Sequence, residues 1–106
     1  MKNDMESFTP KNVEQIHKIL DKIFPRLALE YHVKTLGIFG SYIQQNQTPD
    51  SDLDLLVSFS EPPSLLRFIA LQNHLSDLLG IQVDLVMRDG LKPHLGEHIL
   101  QEVVSV

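Results

Sequence analysis

Apolar side chains recur along this chain with two distinct periods. Val13, Ile16, Leu20 and Ile23 fall at helical spacing. Thr9-Pro10 ahead of them supplies a helix start, with Thr9 as N-cap and proline in the first turn. Pro25 is expected to end or kink this helix, with Leu27 to Tyr31 carrying a further turn or two. Val33 to Phe39 reads as a buried strand closed by Gly40. Residues 41–50 are polar and hold Pro49-Asp50, which makes them a short helix or a loop. Leu53 to Phe59 is a second strand, rich in Leu and Val. Glu61-Pro62-Pro63 breaks it, and Ser64 can cap the helix that follows. That helix carries Leu65, Phe68, Leu71, Leu75, Leu78 and Leu79 on one stripe and stops at Gly80. Ile81 to Met87 is a third strand, and Asp89-Gly90 a turn. Leu91, Leu95, Ile99 and Val103 sit four apart and define a last amphipathic helix. The tail Val104-Ser105-Val106 has room to add a short strand.

The order helix, strand, loop, strand, helix, strand, helix predicts an α/β (α+β) domain. A small sheet of three main strands with helices on one face is the natural way to bury the apolar stripes. Residues 1–8 read as a loose tail and 9–106 as one domain. The absence of cysteine excludes disulfides and thiolate metal sites and suits a reducing cytoplasm. The start MKNDMESFTP has no apolar core of a secretory signal, and no run approaches a bilayer span, so a cytoplasmic chain without a membrane partner is expected. Acidic residues exceed basic ones by 14 to 9, for a net charge of −5. That balance argues against a long nucleic acid as partner. It leaves room for a nucleotide held through metal, because each ion brings its own positive charge.

The candidate chemistry lies in three aspartates. In Asp52-Leu53-Asp54 the two acids are two residues apart at the entry to a strand, so they project to one face, roughly 6–7 Å apart at the backbone. Two like charges so placed oppose each other's ionisation. A hard divalent cation such as Mg²⁺ compensates them, because it prefers carboxylate oxygen. Asp84 interrupts the apolar run Ile81–Met87; taken alone it reads either as an edge-strand residue facing water or as a member of the same site. With the third strand beside the second, the three carboxylates can hold one or two metals, the arrangement that clamps the attacking and leaving oxygens of an in-line phosphoryl displacement. Gly40-Ser41 ends the first strand. Glycine there permits close approach of the backbone, and amide N–H groups with the serine hydroxyl can grip the outer phosphates of a triphosphate.

This constellation resembles the minimal nucleotidyltransferases of the DNA polymerase β-like superfamily, whose pattern is Gly-Ser, ten residues, Asp-x-Asp, and a later strand Asp. The chain reads GSYIQQNQTPDSDLD and, for the third acid, IQVDLVM; TLGIFGS, LDLLV and GLKPHLGEHILQEVV extend the likeness over residues 10–106. The resemblance implies a mixed sheet with helices, metal on Asp52 and Asp54, and Asp84 completing the site and helping to activate the attacking hydroxyl. It also implies Mg²⁺ (one or two ions) and ATP as co-substrate, with AMP moved to a hydroxyl of a partner protein. For small single-domain members it implies an antitoxin role beside a HEPN-type ribonuclease toxin, hence a hetero-oligomer. One position departs from the family. Many members read Gly-Ser-x-Ala-Arg-Gly, and here Gln44 and Gln45 stand in place of the arginine and the second glycine. This departure motivates the competing reading, a non-catalytic antitoxin that neutralises its partner by binding alone.

Other residues carry weaker signals. His94, Glu97 and His98 fit a His-x-x-Glu-His zinc-peptidase pattern, but Glu102 is the one acid that follows, and a solvated helix face is the better reading. Lys92 could approach a triphosphate and reads better as a surface lysine. Tyr42 could stack on a base or pack beside Gly40. His17, His32 and His74 are isolated.

Overall fold

The structure, a computed structural model, describes residues 12–44, 47, 48, 50–91 and 93–106, without the side chains of 93–95. Helix α1 (Val13–Tyr31) begins behind Asn12, whose side chain accepts the Gln15 N–H at 2.9 Å. Thr9 and Pro10, expected to start it, lie outside the described residues. Pro25 does not end the helix, which runs on to Tyr31. Pro25 is exposed, so water can satisfy the carbonyl left without a donor, and buried Leu27 on the far side ties the last turns to the core. His32, in left-handed conformation at φ 60°, closes the helix and returns its N–H to the Leu27 carbonyl.

Strand β1 (Val33–Phe39), the single-turn helix α2 (Ser41–Gln44), strand β2 (Leu53–Phe59) and helix α3 (Leu65–Leu79) follow, on the expected boundaries for both strands and for α3. Strand β3 (Val83–Met87) is two residues shorter than predicted, and helix α4 (Pro93–Glu102) and strand β4 (Val104–Ser105) complete the chain. On α3, Leu71, Leu75 and Leu79 are fully buried, but Leu65 and Leu78 face solvent. The expected six-residue stripe is therefore narrower than its spacing implied: burial runs along Leu71, Leu75 and Leu79 to the end of the helix, leaving Leu65 ahead of that line and Leu78 beside it. No helix among the described residues is long and apolar enough to cross a membrane.

The sheet has the order β3-β2-β1-β4. β1 is antiparallel to β2 and β4, and β2 is parallel to β3, so the sheet is mixed. The parallel β2–β3 pair needs a crossover, and α3 is that crossover. Along β2, Leu53, Leu55 and Val57 point into the main core with Ile16, Leu20, Leu71, Leu75 and Leu79. The alternate residue Leu56 belongs to a second, smaller cluster with Phe39 and Ile99, against which Val86 and Val103 pack. Helices therefore cover both faces, where one had been expected: α1 and α3 on one, α4 on the other. The outer edge of β3 is capped by α3, since Ser76 Oγ and Gln72 Oε1 accept the Val83 and Leu85 N–H groups at 3.0 and 2.9 Å. These contacts fix the position of β3, and with it Asp84.

Candidate active site

Strand alternation places Asp54 on the face of β2 opposite the main core, shared with Leu56. In the parallel register Asp54 faces Asp84, and Leu56 faces Val86, so both acids lie on the α4 side of the sheet. Asp52 precedes β2 by one residue and is exposed, as is Asp84, while Asp54 is half-buried. The Leu53 N–H donates to the Gln82 carbonyl at 2.8 Å, which aligns the entrances of the two strands. The two strands thus bring Asp54 and Asp84 together on one face, with Asp52 just ahead of β2 and near enough for its charge to act on Asp54.

The electrostatics agree with this convergence. Burial pushes the Asp54 carboxyl up to about 6, and the charges of Asp84, Asp52 and Glu102 push the same way. The Tyr42 phenol is raised by burial and by Asp52. Among the described residues no three acid or histidine side chains already stand close enough to ring an ion. What the site offers is an oxygen-only donor set with unbalanced negative charge, which suits a hard divalent cation.

The sign of the pH dependence follows from Asp54. Its folded pKa lies above the ordinary carboxylate value, so its contribution to metal-free stability is full below about 4 and lost as pH rises through about 6. A cation needs the ionised form. The gain in melting temperature on adding Mg²⁺ is therefore expected to grow between about pH 5 and pH 7, a comparison that paired thermal melts make directly.

Gly40 joins this group through contact. Its φ of +83° turns β1 into α2, and a Cβ built on it would lie 2.1 Å from Asp54 Oδ2. The Gly40 carbonyl accepts the Ile43 and Gln44 N–H groups, both at 3.0 Å, so Gly40 caps α2. Its own amide is not free, because Glu102 Oε2 accepts it at 2.8 Å. The amides of Ser41 and Tyr42 have no partner among the described residues. Of the donors expected for phosphate, these and the Ser41 hydroxyl remain available.

Glu102 is the residue that sequence reasoning missed as part of this site. It stands at the margin of the last apolar stripe, but no local pattern shows that the end of α4 returns to Gly40. Gln44, which replaces the family arginine, donates from Nε2 to Glu102 Oε1 at 3.0 Å. Gln45 and Lys92 lie outside the described residues. Tyr42, read as stacking on a base or packing beside Gly40, is buried in the main core. Glu97 and His98 are exposed, and the His94 side chain lies outside the described residues. Elsewhere, His17 Nε2 lies 2.8 Å from the Ser105 carbonyl, His32 pairs with Glu61, and His74 stacks on Tyr31.

Comparison with known proteins fits this geometry. The family model "Polymerase beta, Nucleotidyltransferase" matches residues 14–106, nearly the whole chain. The chain belongs to the polymerase β nucleotidyltransferase family. A relative from Thermococcus cleftensis, the protein adenylyltransferase MntA, is 45% identical over 89% of this chain and 95% of its own. A solved structure described as a candidate minimal nucleotidyltransferase superposes with a TM-score of 0.77 at 33% identity, covering 91% of this chain and 97% of that one. A structure of a tri-AMPylated Shewanella oneidensis HEPN toxin in complex with an MNT antitoxin shares the fold, with a TM-score of 0.60 at 19% identity over 85% of this chain and 66% of that one. By this kinship the chain is a nucleotidyltransferase of the adenylyltransferase type.

Proposed function

We propose that this nucleotidyltransferase moves AMP from ATP onto a hydroxyl of a partner protein, a HEPN-type toxin, and so acts as its antitoxin in a hetero-oligomer. The observation that carries the site assignment is the register of β2 on β3, which sets Asp54 opposite Asp84 on the face where Gly40 packs against Asp54. Asp52, Asp54 and Asp84 would hold one or two Mg²⁺ ions, which supply charge neutralisation at the phosphates when bound. The acceptor hydroxyl attacks the α-phosphorus of ATP. One phosphorus–oxygen bond forms there as the bond to the departing pyrophosphate breaks. Asp84 assists removal of the hydroxyl proton, and Ser41 with its neighbouring amide holds the outer phosphates. The kinship with a named protein adenylyltransferase and the fold shared with an MNT antitoxin support this reading.

The hydrogen bond from Gln44 to Glu102 favours a second reading, because an amide stands where a guanidinium would pair with phosphate. In that reading the chain neutralises its partner by binding alone. Incubating the chain with ATP, Mg²⁺ and a HEPN-type toxin, then weighing that protein, separates the two. The expected result is a nucleotide-sized mass gain on the partner, absent with Asp52→Asn. Neutralisation with no mass gain would overturn the catalytic proposal.

A further inference from the structure

Glu102 lies outside the aspartate trio, and the transfer chemistry above does not use it. The segment that carries it is pinned on both sides. Ile99 packs with Phe39 and Leu56. Val103 lies so close to Gly37 that a Cβ there would come within 2.5 Å of Val103 Cγ2. Val104 and Ser105 pair with Ile38 and Gly37, and the Val106 N–H donates to the Leu36 carbonyl at 2.9 Å. The Glu102 carboxylate is thus delivered to a fixed place.

At that place its two oxygens take two donors that bracket the turn: the Gly40 amide at 2.8 Å and the Gln44 side-chain amide at 3.0 Å. Gly40 needs such a restraint. Glycine reaches φ +83° without strain, but it reaches many other conformations equally well. A carboxylate accepting a main-chain N–H is among the stronger hydrogen bonds, and here it selects one conformation of the turn. The charge itself does not recruit a nucleotide, because it carries the same sign as a triphosphate. The geometry is what a carboxylate contributes at this position.

We propose that Glu102 is a positioning residue for nucleotidyl transfer: by holding the Gly40 and Gln44 amides together it fixes the Gly40–Ser41 turn against Asp54, in the conformation that receives the outer phosphates. The inference rests on the phosphate role proposed above for that turn.

The test measures binding of the ATP analogue AMP-PNP with Mg²⁺ to the intact chain by calorimetry, alongside the ¹H–¹⁵N signal of Gly40. Glu102→Ala removes both acceptors. Glu102→Gln keeps both bonds, since Oε1 takes the Gly40 N–H and Nε2 donates to Gln44 once that amide turns over. Glu102→Ala is expected to weaken binding by about tenfold or more, the scale of a lost charge-assisted bond. Glu102→Gln is expected to stay within about threefold of wild type. The Gly40 amide signal should move upfield in Glu102→Ala and stay near its wild-type position in Glu102→Gln. A role confined to stability would lower melting temperature without this rescue pattern. Should Glu102→Ala not fold, Glu102→Asp, one methylene too short to span both donors, is expected to show the same loss. Undiminished binding in Glu102→Ala, or equal losses in the alanine and glutamine variants, would overturn the positioning role alone. A wild-type chain that fails to bind the analogue would overturn the phosphate reading of the turn, and Glu102's role with it.

Discussion

Asp54→Asn is expected to yield a protein that melts higher than wild type in the absence of metal and transfers nucleotide more than about a hundredfold more slowly. Both effects have one cause. Asp54 sits in register with Asp84, and the charges of Asp52 and Glu102 also act on it. Like charges facing each other across neighbouring strands cost up to about 1 kcal/mol per pair. Asparagine keeps the shape and removes the charge. In a domain of this size each 1 kcal/mol is worth roughly 4 °C or more, and the gain should appear above about pH 6, where Asp54 is ionised. The rate loss follows from the proposed metal role, since even partners behind a metal's own ligands cost about 10–100-fold when removed. Thermal melts in chelator, set beside transfer assays followed by mass, check both halves. A variant that is less stable and still active would make Asp54 an ordinary structural residue.

Gly40→Ala is expected to damage stability and transfer together, through two additive costs. Alanine at φ +83° pays about 1–2 kcal/mol in the left-handed region. In addition, its Cβ would lie 2.1 Å from Asp54 Oδ2 and 3.0 Å from Asp54 Cγ, so the carboxylate must leave its place. Gly80→Ala supplies the control. Gly80 has a similar φ of +68°, and a Cβ there meets nothing within 4 Å. It should therefore show the backbone cost alone, with transfer unchanged. Gly40→Ala should fall further in melting temperature than Gly80→Ala and lose transfer by more than about a hundredfold, the scale reached when partners that merely orient a metal's ligands are removed. Equal melting and equal activity in the two variants would remove Gly40 from the site.

Local information was enough for much of this fold. Val33–Phe39 and Leu53–Phe59 are short apolar runs with clear breakers, and α3 has both its serine cap and its terminal glycine, so their boundaries were legible. Of the two outcomes expected at Pro25, an end to the helix is excluded, because propensity describes an isolated helix, whereas buried Leu27 carries α1 past the proline. The exposure of Leu65 and Leu78 on α3, and the placement of α4 on the opposite face of the sheet, depend on which strand lies under which helix. No periodicity records that. The site divides in the same way. Asp52 and Asp54 share a face by strand geometry, and Gly40-Ser41 marks a strand end, so both could be read locally. Asp84 joined them only on the supposition that β3 lies beside β2, which the parallel register bears out. Glu102 was out of reach because its bond to Gly40 spans 62 residues and depends on β4 pairing with β1.

In the proposed site, Asp52, Asp54 and Asp84 gather a hard divalent ion beside the Gly40–Ser41 turn. Mn²⁺, which shares the oxygen preference of Mg²⁺, reports its own position by broadening nearby amide signals. Titrated into the ¹⁵N-labelled chain with AMP-PNP, it is expected to erase the signals of Gly40, Ser41, Asp52, Asp54 and Asp84 first. Broadening that begins at Glu97 and His98, or spreads evenly over the chain, would place the ion elsewhere and rule out this site.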